Sequence, residues 1–513
     1  MTPAPSWSVV VPTVGRPSLD VLLESLVGQD WSPTAPGPAS VVICDDRPLT
    51  ATRPLVPPAL PWPTRVVRTG GRGPAAARNA GWRATSQSWV AFLDDDVVLP
   101  PGWARAFVDD LTAADAELQV AATQARLHVP LPQDRRPTDW ERSTAGLERA
   151  RWATADMAFR RTALQEVHGF DERFPRAYRE DADLALRLRA AGWTLVKGSR
   201  TTHHPVRPAQ DRVSVRVQAG ARDDALMRAL HGRRWRERAE TGRGRFPWHV
   251  ATVVASATGT ILALAGKRRP AAVALATWTV LTTDFAVRRI LPGPHPGEPG
   301  APAEWRRMAW TSVLIPFAAV AHRLRGVVTH RGAAPWRPAV RAVLFDRDGT
   351  LVTDVPYNGD PDRVEPVDGA QECLDHLRRE RVAVGLITNQ SGVARGLISR
   401  AQVDAVNDRL AELVGPFASV QVCPHGPESC CPCRKPAAGM VLRAAHELGL
   451  SPWEVGVVGD IGDDVGAALA AGARAVLVPT PATRPEEIRC AELVATDLRE
   501  AVALLVPGPE RAR

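Results

Sequence analysis

From Arg341 to Thr350 the chain reads RAVLFDRDGT, a short apolar run ending in two carboxylates, Asp346 and Asp348, one residue apart and followed by Gly349. A run this short and apolar reads as a buried strand, and Asp-x-Asp-Gly as the turn at its carboxyl end. Such a strand needs a sheet covered on both faces, so an α/β fold is expected around it, with the carboxylates facing the crevice at the strand ends. Two carboxylates at that spacing suit phosphoryl transfer. One attacks phosphorus, the second handles the leaving-group proton, and Mg²⁺ holds charge against the phosphate.

The residues downstream repeat the pattern of polar groups at strand ends. A strand over Val382 to Thr388 ends in Thr388, Asn389, Gln390, Ser391 and Gly392, whose hydroxyl and amide donors suit phosphate oxygens. Arg434 and Lys435 follow, then a strand over Val455 to Val458 that leads into Asp460, with Asp463 and Asp464 just beyond. A last strand is expected over Ala475 to Val478. Only Lys197, Lys267 and Lys435 are lysine among 64 basic residues, a bias toward arginine that gives Lys435 added weight.

Four of the seven cysteines, Cys423, Cys430, Cys431 and Cys433, lie within eleven residues, too tight for a framework of several disulfides. Cys423, His425, Cys431 and Cys433 supply three thiolates and an imidazole, a set that suits tetrahedral structural Zn²⁺. Unligated thiols or a redox pair are the other readings, and Cys430 can exchange roles with Cys431. Cys44 and Cys373 fall on a strand and on a helical pattern, as core residues do.

At 513 residues the chain is too long for one core. Strands at Ser8 to Pro12, Ser40 to Cys44 and Trp89 to Leu93 alternate with helical patterns such as Leu19, Leu22, Leu23 and Leu26. An α/β domain with a largely parallel sheet is expected over residues 1–215. Asp45 and Asp46 close its second strand, and Asp94, Asp95 and Asp96 close WVAFL. An Asp-x-Asp pair there can hold a divalent cation against a diphosphate leaving group, or can be a solvated acidic turn.

Residues 216–335 are apolar and helical, with a Pro/Gly-rich linker at Leu291 to Ala303, and residues 336–513 form the second α/β domain. Phe246 to Gly266 carries no Asp, Glu, Lys or Arg and is long enough to span a bilayer. Ala271 to Thr283 and Met308 to Ala321 are shorter, cut by Asp284 and Pro316. A hairpin that spans would place Lys267, Arg268 and Arg269 outside, against the positive-inside tendency, so a surface or re-entrant membrane hairpin over 246–325 is favoured over true spans or a soluble helical domain. Met1 to Ser8 has neither the basic start nor the apolar core of a signal peptide, and a cytoplasmic, reducing setting is expected. The net charge of +8 is scattered rather than gathered into tracts, which argues against nucleic acid as a partner.

PTVGRPS, ICDD, GPAAARNAGW, FLDDDVVLPPGW and REDADLALRLRAAGW together resemble the family 2 glycosyltransferases of GT-A fold, over roughly Trp7 to His204. The resemblance implies that Asp45 or Asp46 contacts the nucleoside of a nucleotide-sugar donor and that Arg78 and Asn79 lie near the nucleotide. It implies that Asp94 and Asp96 frame Mg²⁺ or Mn²⁺ and the diphosphate, with His203 and His204 either supplying a further ligand or forming a surface pair. Of the acidic pair Glu180 and Asp181, it points to Asp181 as the base toward an unknown acceptor. DRDGT, TNQSGVARG, CPH, CPCRKP and GD resemble the haloacid dehalogenase superfamily, and within it the D-glycero-D-manno-heptose 1,7-bisphosphate 7-phosphatases.

That second resemblance implies a Rossmann-like domain with Asp346 as nucleophile and Asp348 as general acid and then base. Thr388 and Lys435 would bind the phosphoryl group, with Asn389, Ser391 and Arg434 on the sugar phosphate. Mg²⁺ would be held by Asp346, the Asp348 carbonyl and Asp460. Ile461 departs from the lysine usual after GD in that branch. The expectation is a bifunctional enzyme, a sugar phosphatase fused to a metal-dependent glycosyltransferase. The rival reading is a phosphatase for histidinol phosphate or another small phosphomonoester, whose amino-terminal half binds a sugar nucleotide without turnover.

Overall fold

A computed structural model of the chain describes residues 4–506 except Leu49, Arg243, Arg337, Pro338 and Cys430. It divides between Trp336 and Arg337 into two compact units.

The first unit is built on seven strands: β1 (Trp7–Thr13), β2 (Val41–Asp45), β3 (Thr64–Arg68), β4 (Trp89–Leu93), β5 (Val120–His128), β6 (Asp156–Arg160) and β7 (Thr194–His203). Their order is β3-β2-β1-β4-β6-β5-β7. The four strands from β3 to β4 run parallel, and β6 lies antiparallel to both β4 and β5. Every residue of β1, β2 and β4 is buried, which is why they read as unbroken apolar runs. Helix α1 (Ser18–Val27) buries Leu19, Leu22, Leu23 and Leu26, the predicted face. Four helices matter for the site and its surroundings: α2 (Pro74–Arg83), α3 (Trp103–Ala116), α4 (Asp139–Ala145) and α5 (Glu180–Ala190).

The longer helices of the apolar region belong to this same unit: α6 (Gly220–His231), α7 (Phe246–Leu264), α8 (Arg268–Ile290) and α9 (Ala301–Thr329). Two expectations fail here. Asp284 does not end the second apolar stretch, because its carboxylate pairs with Arg288 one turn on and with Arg245 at the start of α7. Helix α8 therefore runs 23 residues, and both α7 and α8 are long and apolar enough to cross a membrane. Pro316 does not break α9 either, although proline removes one backbone hydrogen bond. Burial of Ile315, Pro316 and Ala319 and close packing on α6 outweigh that loss. At Gly326 a Cβ would lie 2.8 Å from the Arg222 backbone, so only glycine lets these two helices approach so closely.

The second unit is a parallel sheet of β8 (Ala342–Phe345), β9 (Ala383–Asn389), β10 (Ser419–Cys423), β11 (Val455–Gly459) and β12 (Arg474–Leu477), in the order β10-β9-β8-β11-β12. Helices α10 (Ala370–Arg379), α11 (Arg400–Val414), α12 (Gly439–Glu447), α13 (Gly462–Ala471) and α14 (Leu498–Leu505) connect or flank the strands. The predicted strands lie within one residue of those observed. Since β8 is flanked by β9 and β11, the carboxyl ends of all three open onto one crevice.

Candidate active sites

In the second unit the backbone after β8 turns sharply at Gly349, whose φ is +80°. A Cβ there would sit 2.4 Å from an Asp460 carboxylate oxygen, so glycine is required both by conformation and by space. The turn leaves Asp346 buried at the strand end, with Lys435 Nζ 2.5 Å from its carboxylate. The same ammonium lies 2.6 Å from Asp464. Burial raises the Asp346 carboxyl to about 8, opposed by Lys435 and reinforced by Asp464 and Asp348. Burial works against the Lys435 charge, yet the two carboxylates hold its pKa above the lysine norm. Asp460 is pushed up to about 6, mainly by burial and then by Asp464.

Asp346, Asp460 and Asp464 offer carboxylate oxygens within 4.8 Å of one another, a hard oxygen set that fits Mg²⁺. Asp348 accepts two hydrogen bonds of 3.0 Å from Arg347 and one of 2.8 Å from Gln390 Nε2. That same amide donates to the Thr388 hydroxyl at 2.9 Å. Arg347 is itself buried and donates to Asn407. Asn389 forms a reciprocal pair with the Lys435 backbone, donating to its carbonyl and accepting from its N–H. Its amide thus helps to seat Lys435. Ser391 begins a short helical turn, half-buried.

Arg434 donates to the His425 carbonyl at 3.2 Å, tying the Arg434–Lys435 loop to the cysteine cluster. Cys433 Sγ lies 3.4 Å from both Cys423 Sγ and His425 Nδ1, and Cys423 Sγ lies 3.6 Å from that nitrogen. The edges of a tetrahedron drawn at ordinary zinc–sulfur and zinc–nitrogen lengths are about 3.5 Å. Cys431 Sγ approaches Cys433 Sγ to 2.6 Å, and all three thiols are free. The set fits Zn²⁺ in donor chemistry and in the spacings among Cys423, His425 and Cys433, while the Cys431–Cys433 pair is closer than a tetrahedral edge. Cys430 lies outside the described residues.

In the first unit the decisive side chain is Arg78 of α2, fully buried. It donates at 2.8 Å to Asp94 and at 2.9 Å to Glu180 in the first turn of α5, joining the acidic run after β4 to the acidic pair far along the chain. Asp96 pairs with Arg207 and lies 3.7 Å from His204. Asp94, Asp96 and His204 form a group that could hold a divalent ion, and the histidine is His204, not His203. Asp95 points elsewhere, accepting from Thr13 and Arg16 at 2.6 Å each.

Burial raises Glu180 to about 8, with Asp181 adding and Arg78 opposing, and its Oε2 has no hydrogen-bond partner. Asp181 is also raised, first by burial, and accepts one bond from the Ala182 N–H. Three expected nucleotide contacts are occupied within the fold. Asp45 is held by Arg47, and Asp46 by the Thr69 hydroxyl and the Arg72 and Gly73 N–H groups. Asn79 is completely buried and bonds Phe170 through both its amide and its oxygen, with a further bond to Glu172.

The sequence motifs pass over Arg347 and Arg207 and place Gln390 and Asp464 at strand ends without the contacts that they make. Asp464 carries a signal, lying in the first turn of the helix that follows Asp460. Arg207 sits in a loop with none.

The two sites define a hydrolase of the haloacid dehalogenase type joined to a GT-A glycosyltransferase, enzymes of the phosphoric monoester hydrolase and glycosyltransferase classes. Residues 8–175 match the profile of Glycosyl transferase family 2, and residues 432–501 that of HAD-hydrolase-like proteins. The D-glycero-beta-D-manno-heptose-1,7-bisphosphate 7-phosphatase of Pseudomonas putida is 36% identical over 146 residues, 28% of this chain and 83% of the relative. The D,D-heptose 1,7-bisphosphate phosphatase of B. bronchiseptica, solved with magnesium and phosphate, is 31% identical, covering 32% of this chain and 97% of that one at a TM-score of 0.29. A mannosyltransferase of Pyrobaculum calidifontis, solved with GDP-Man and Mn²⁺, is 16% identical over 63% of this chain and 88% of its own, at a TM-score of 0.34. Through its second unit the chain belongs to the family of the heptose bisphosphate phosphatases, and it carries a family 2 glycosyltransferase domain ahead of it.

Proposed function

We propose that the second unit hydrolyses the 7-phosphate of D-glycero-D-manno-heptose 1,7-bisphosphate and that the first transfers a sugar from a nucleotide donor. The observation that carries the phosphatase half is the buried Asp346 carboxylate held by Lys435 at the end of the central strand. Asp346 attacks phosphorus while Lys435 and the Thr388 hydroxyl hold the phosphoryl oxygens. Asp348, positioned by Arg347 and Gln390, gives its proton to the departing sugar oxygen. It then removes one from the water that cleaves the aspartyl phosphate. Mg²⁺, held by Asp346 and Asp460 with the Asp348 carbonyl, supplies positive charge against the phosphate oxygens when bound. Asp464 is committed to the lysine. Zn²⁺ on Cys423, His425, Cys431 and Cys433 is structural and fixes the loop that carries Arg434 and Lys435.

In the transferase half, Asp94, Asp96 and His204 are the residues for Mg²⁺ or Mn²⁺, which balances the diphosphate charge when bound. Arg78 holds Asp94 and Glu180 in fixed relation, so the donor and acceptor sides share one rigid element. Asp181, half-buried and raised in pKa, takes the acceptor proton. The pairing of functions suits one carbohydrate route in a cytoplasmic setting, with association to a membrane through the apolar helices.

Phosphate release from purified protein given heptose 1,7-bisphosphate, histidinol phosphate and other sugar phosphates tests the substrate. Heptose bisphosphate should be preferred and Asp346→Asn should abolish release. A preference for histidinol phosphate overturns the assignment. Donor hydrolysis across a nucleotide-sugar panel tests the other half, and should vanish when Asp94 and Asp96 are both changed to alanine.

A further inference from the structure

Helices α7 and α8 form a hairpin whose sides stand bare. Of the most apolar window in each helix, 11% and 6% is buried. Val254, Ile261, Leu264, Val273 and Val280 are all more than half exposed. At 1.5 Å per residue the two helices measure about 28 and 34 Å, close to the roughly 30 Å hydrocarbon core of a bilayer. Charge collects at the base. Arg233, Arg234, Arg236, Arg238 and Arg245 precede α7, and Arg288 and Arg289 close α8, against three cations at the tip. Counted over both flanks, the positive-inside tendency keeps the base on the cytoplasmic side, which removes the objection that the tip cations raise to a crossing hairpin. Trp248, 56% exposed in the first turn of α7, sits where interfacial tryptophans do.

The base is fastened to the transferase site. Arg289 donates at 2.8 Å to Asp139 in the first turn of α4 and to Thr311 and Ser312 of α9. Its carbonyl accepts from Arg142 at 2.7 Å. Next to Asp139, Trp140 donates to the Arg207 carbonyl at 3.0 Å, and Arg207 pairs with Asp96. A short relay of Asp139, Trp140 and Arg207 thus joins the foot of the hairpin to the acidic motif.

We propose that the α7–α8 hairpin is inserted in a lipid bilayer and that the transferase therefore acts on a membrane-borne acceptor, an amphiphile presenting a nucleophilic oxygen at the headgroup level. This rests on the transferase reading. A bond forms from that oxygen to the anomeric carbon of the donor sugar as the bond from that carbon to the nucleoside diphosphate oxygen breaks. The nucleotide departs with the electron pair, and the acceptor proton passes to Asp181.

Flotation of the full-length protein with vesicles of phosphatidylcholine and phosphatidylglycerol tests the insertion. The protein should float and stay with the vesicles after a high-salt wash. A Val254→Asp, Val280→Asp variant should float at least about tenfold less, since a carboxylate at mid-helix opposes insertion. Its phosphatase rate and its hydrolysis of a soluble nucleotide-sugar donor should both be unchanged, showing that the two units still fold. Protein that never floats, that salt strips away, or that forms a lipid-free dimer split by the aspartates overturns the proposal. With labelled nucleotide sugars and membranes of the expression host, label should enter the lipid-soluble fraction. Label found only in water-soluble products overturns the acceptor assignment, whereas absence of any donor turnover counts against the transferase reading itself.

Discussion

Lys435 Nζ lies 2.6 Å from Asp464, a carboxylate outside the motifs that point to the phosphatase site. With Asp346 on its other side, the lysine is buried between two acids. Replacing Asp464 by alanine leaves that charge with half its compensation. Breaking a buried pair costs about 3 kcal/mol. Denaturant unfolding of Asp464→Ala should show a loss of that order, together with a lower phosphatase rate, while donor hydrolysis is unchanged.

Gly349→Ala should be more harmful than its single methyl suggests. The residue would keep a left-handed φ and press its Cβ against Asp460. A loss of about 1 to 3 kcal/mol is expected from such strain, and phosphatase turnover should fall because Asp346 and Asp348 lie at this turn and Asp460 packs against it. An unchanged rate would show that the turn can relax without cost.

Metal analysis of the purified protein should find zinc, and Cys433→Ser should remove it. Because Arg434 is bound to His425 and Lys435 follows it, zinc loss should lower phosphatase turnover and melting temperature together. Full activity in zinc-free protein would sink the structural role.

Glu180 gives a pH signature. Its carboxyl is raised to about 8 in the folded state against 4.5 for the free group, so the native protein binds the proton more tightly. The contribution is complete below pH 4.5 and is lost as pH rises through about 8. Glu180→Gln should flatten the fall in stability across that window, measured by denaturant unfolding at a series of pH values.

Asn79→Ala should act on stability rather than on donor affinity. It strands the Phe170 backbone groups and costs about 1 to 3 kcal/mol. A large rise in donor KM with unchanged stability would restore the nucleotide contact that the sequence motif suggests.

Much is legible in the chain because strand-end chemistry is local. VLFD, ITN and VVGD each combine a buried run with the polar group that ends it, so the residue order alone places Asp346, Thr388 and Asp460. The same applies to the cysteine cluster, whose members lie close in sequence. Where a side chain spends its hydrogen bonds is not legible in this way. Asn79 and Asn389 look like ligand contacts, yet one ties down the chain at Phe170 and the other seats Lys435.

By itself the sequence determined two α/β cores, their order and the carboxylates at the ends of their strands, since burial periodicity and turn chemistry act over a few residues. Only the tertiary structure decided that Arg78 would bridge Asp94 to Glu180, that Asp464 would share Lys435, and that α9 would continue through Pro316. These depend on which surfaces meet after folding. A buried charge takes whatever partner the packing brings within reach, and a helix survives an unfavourable residue when its neighbours bury enough of it.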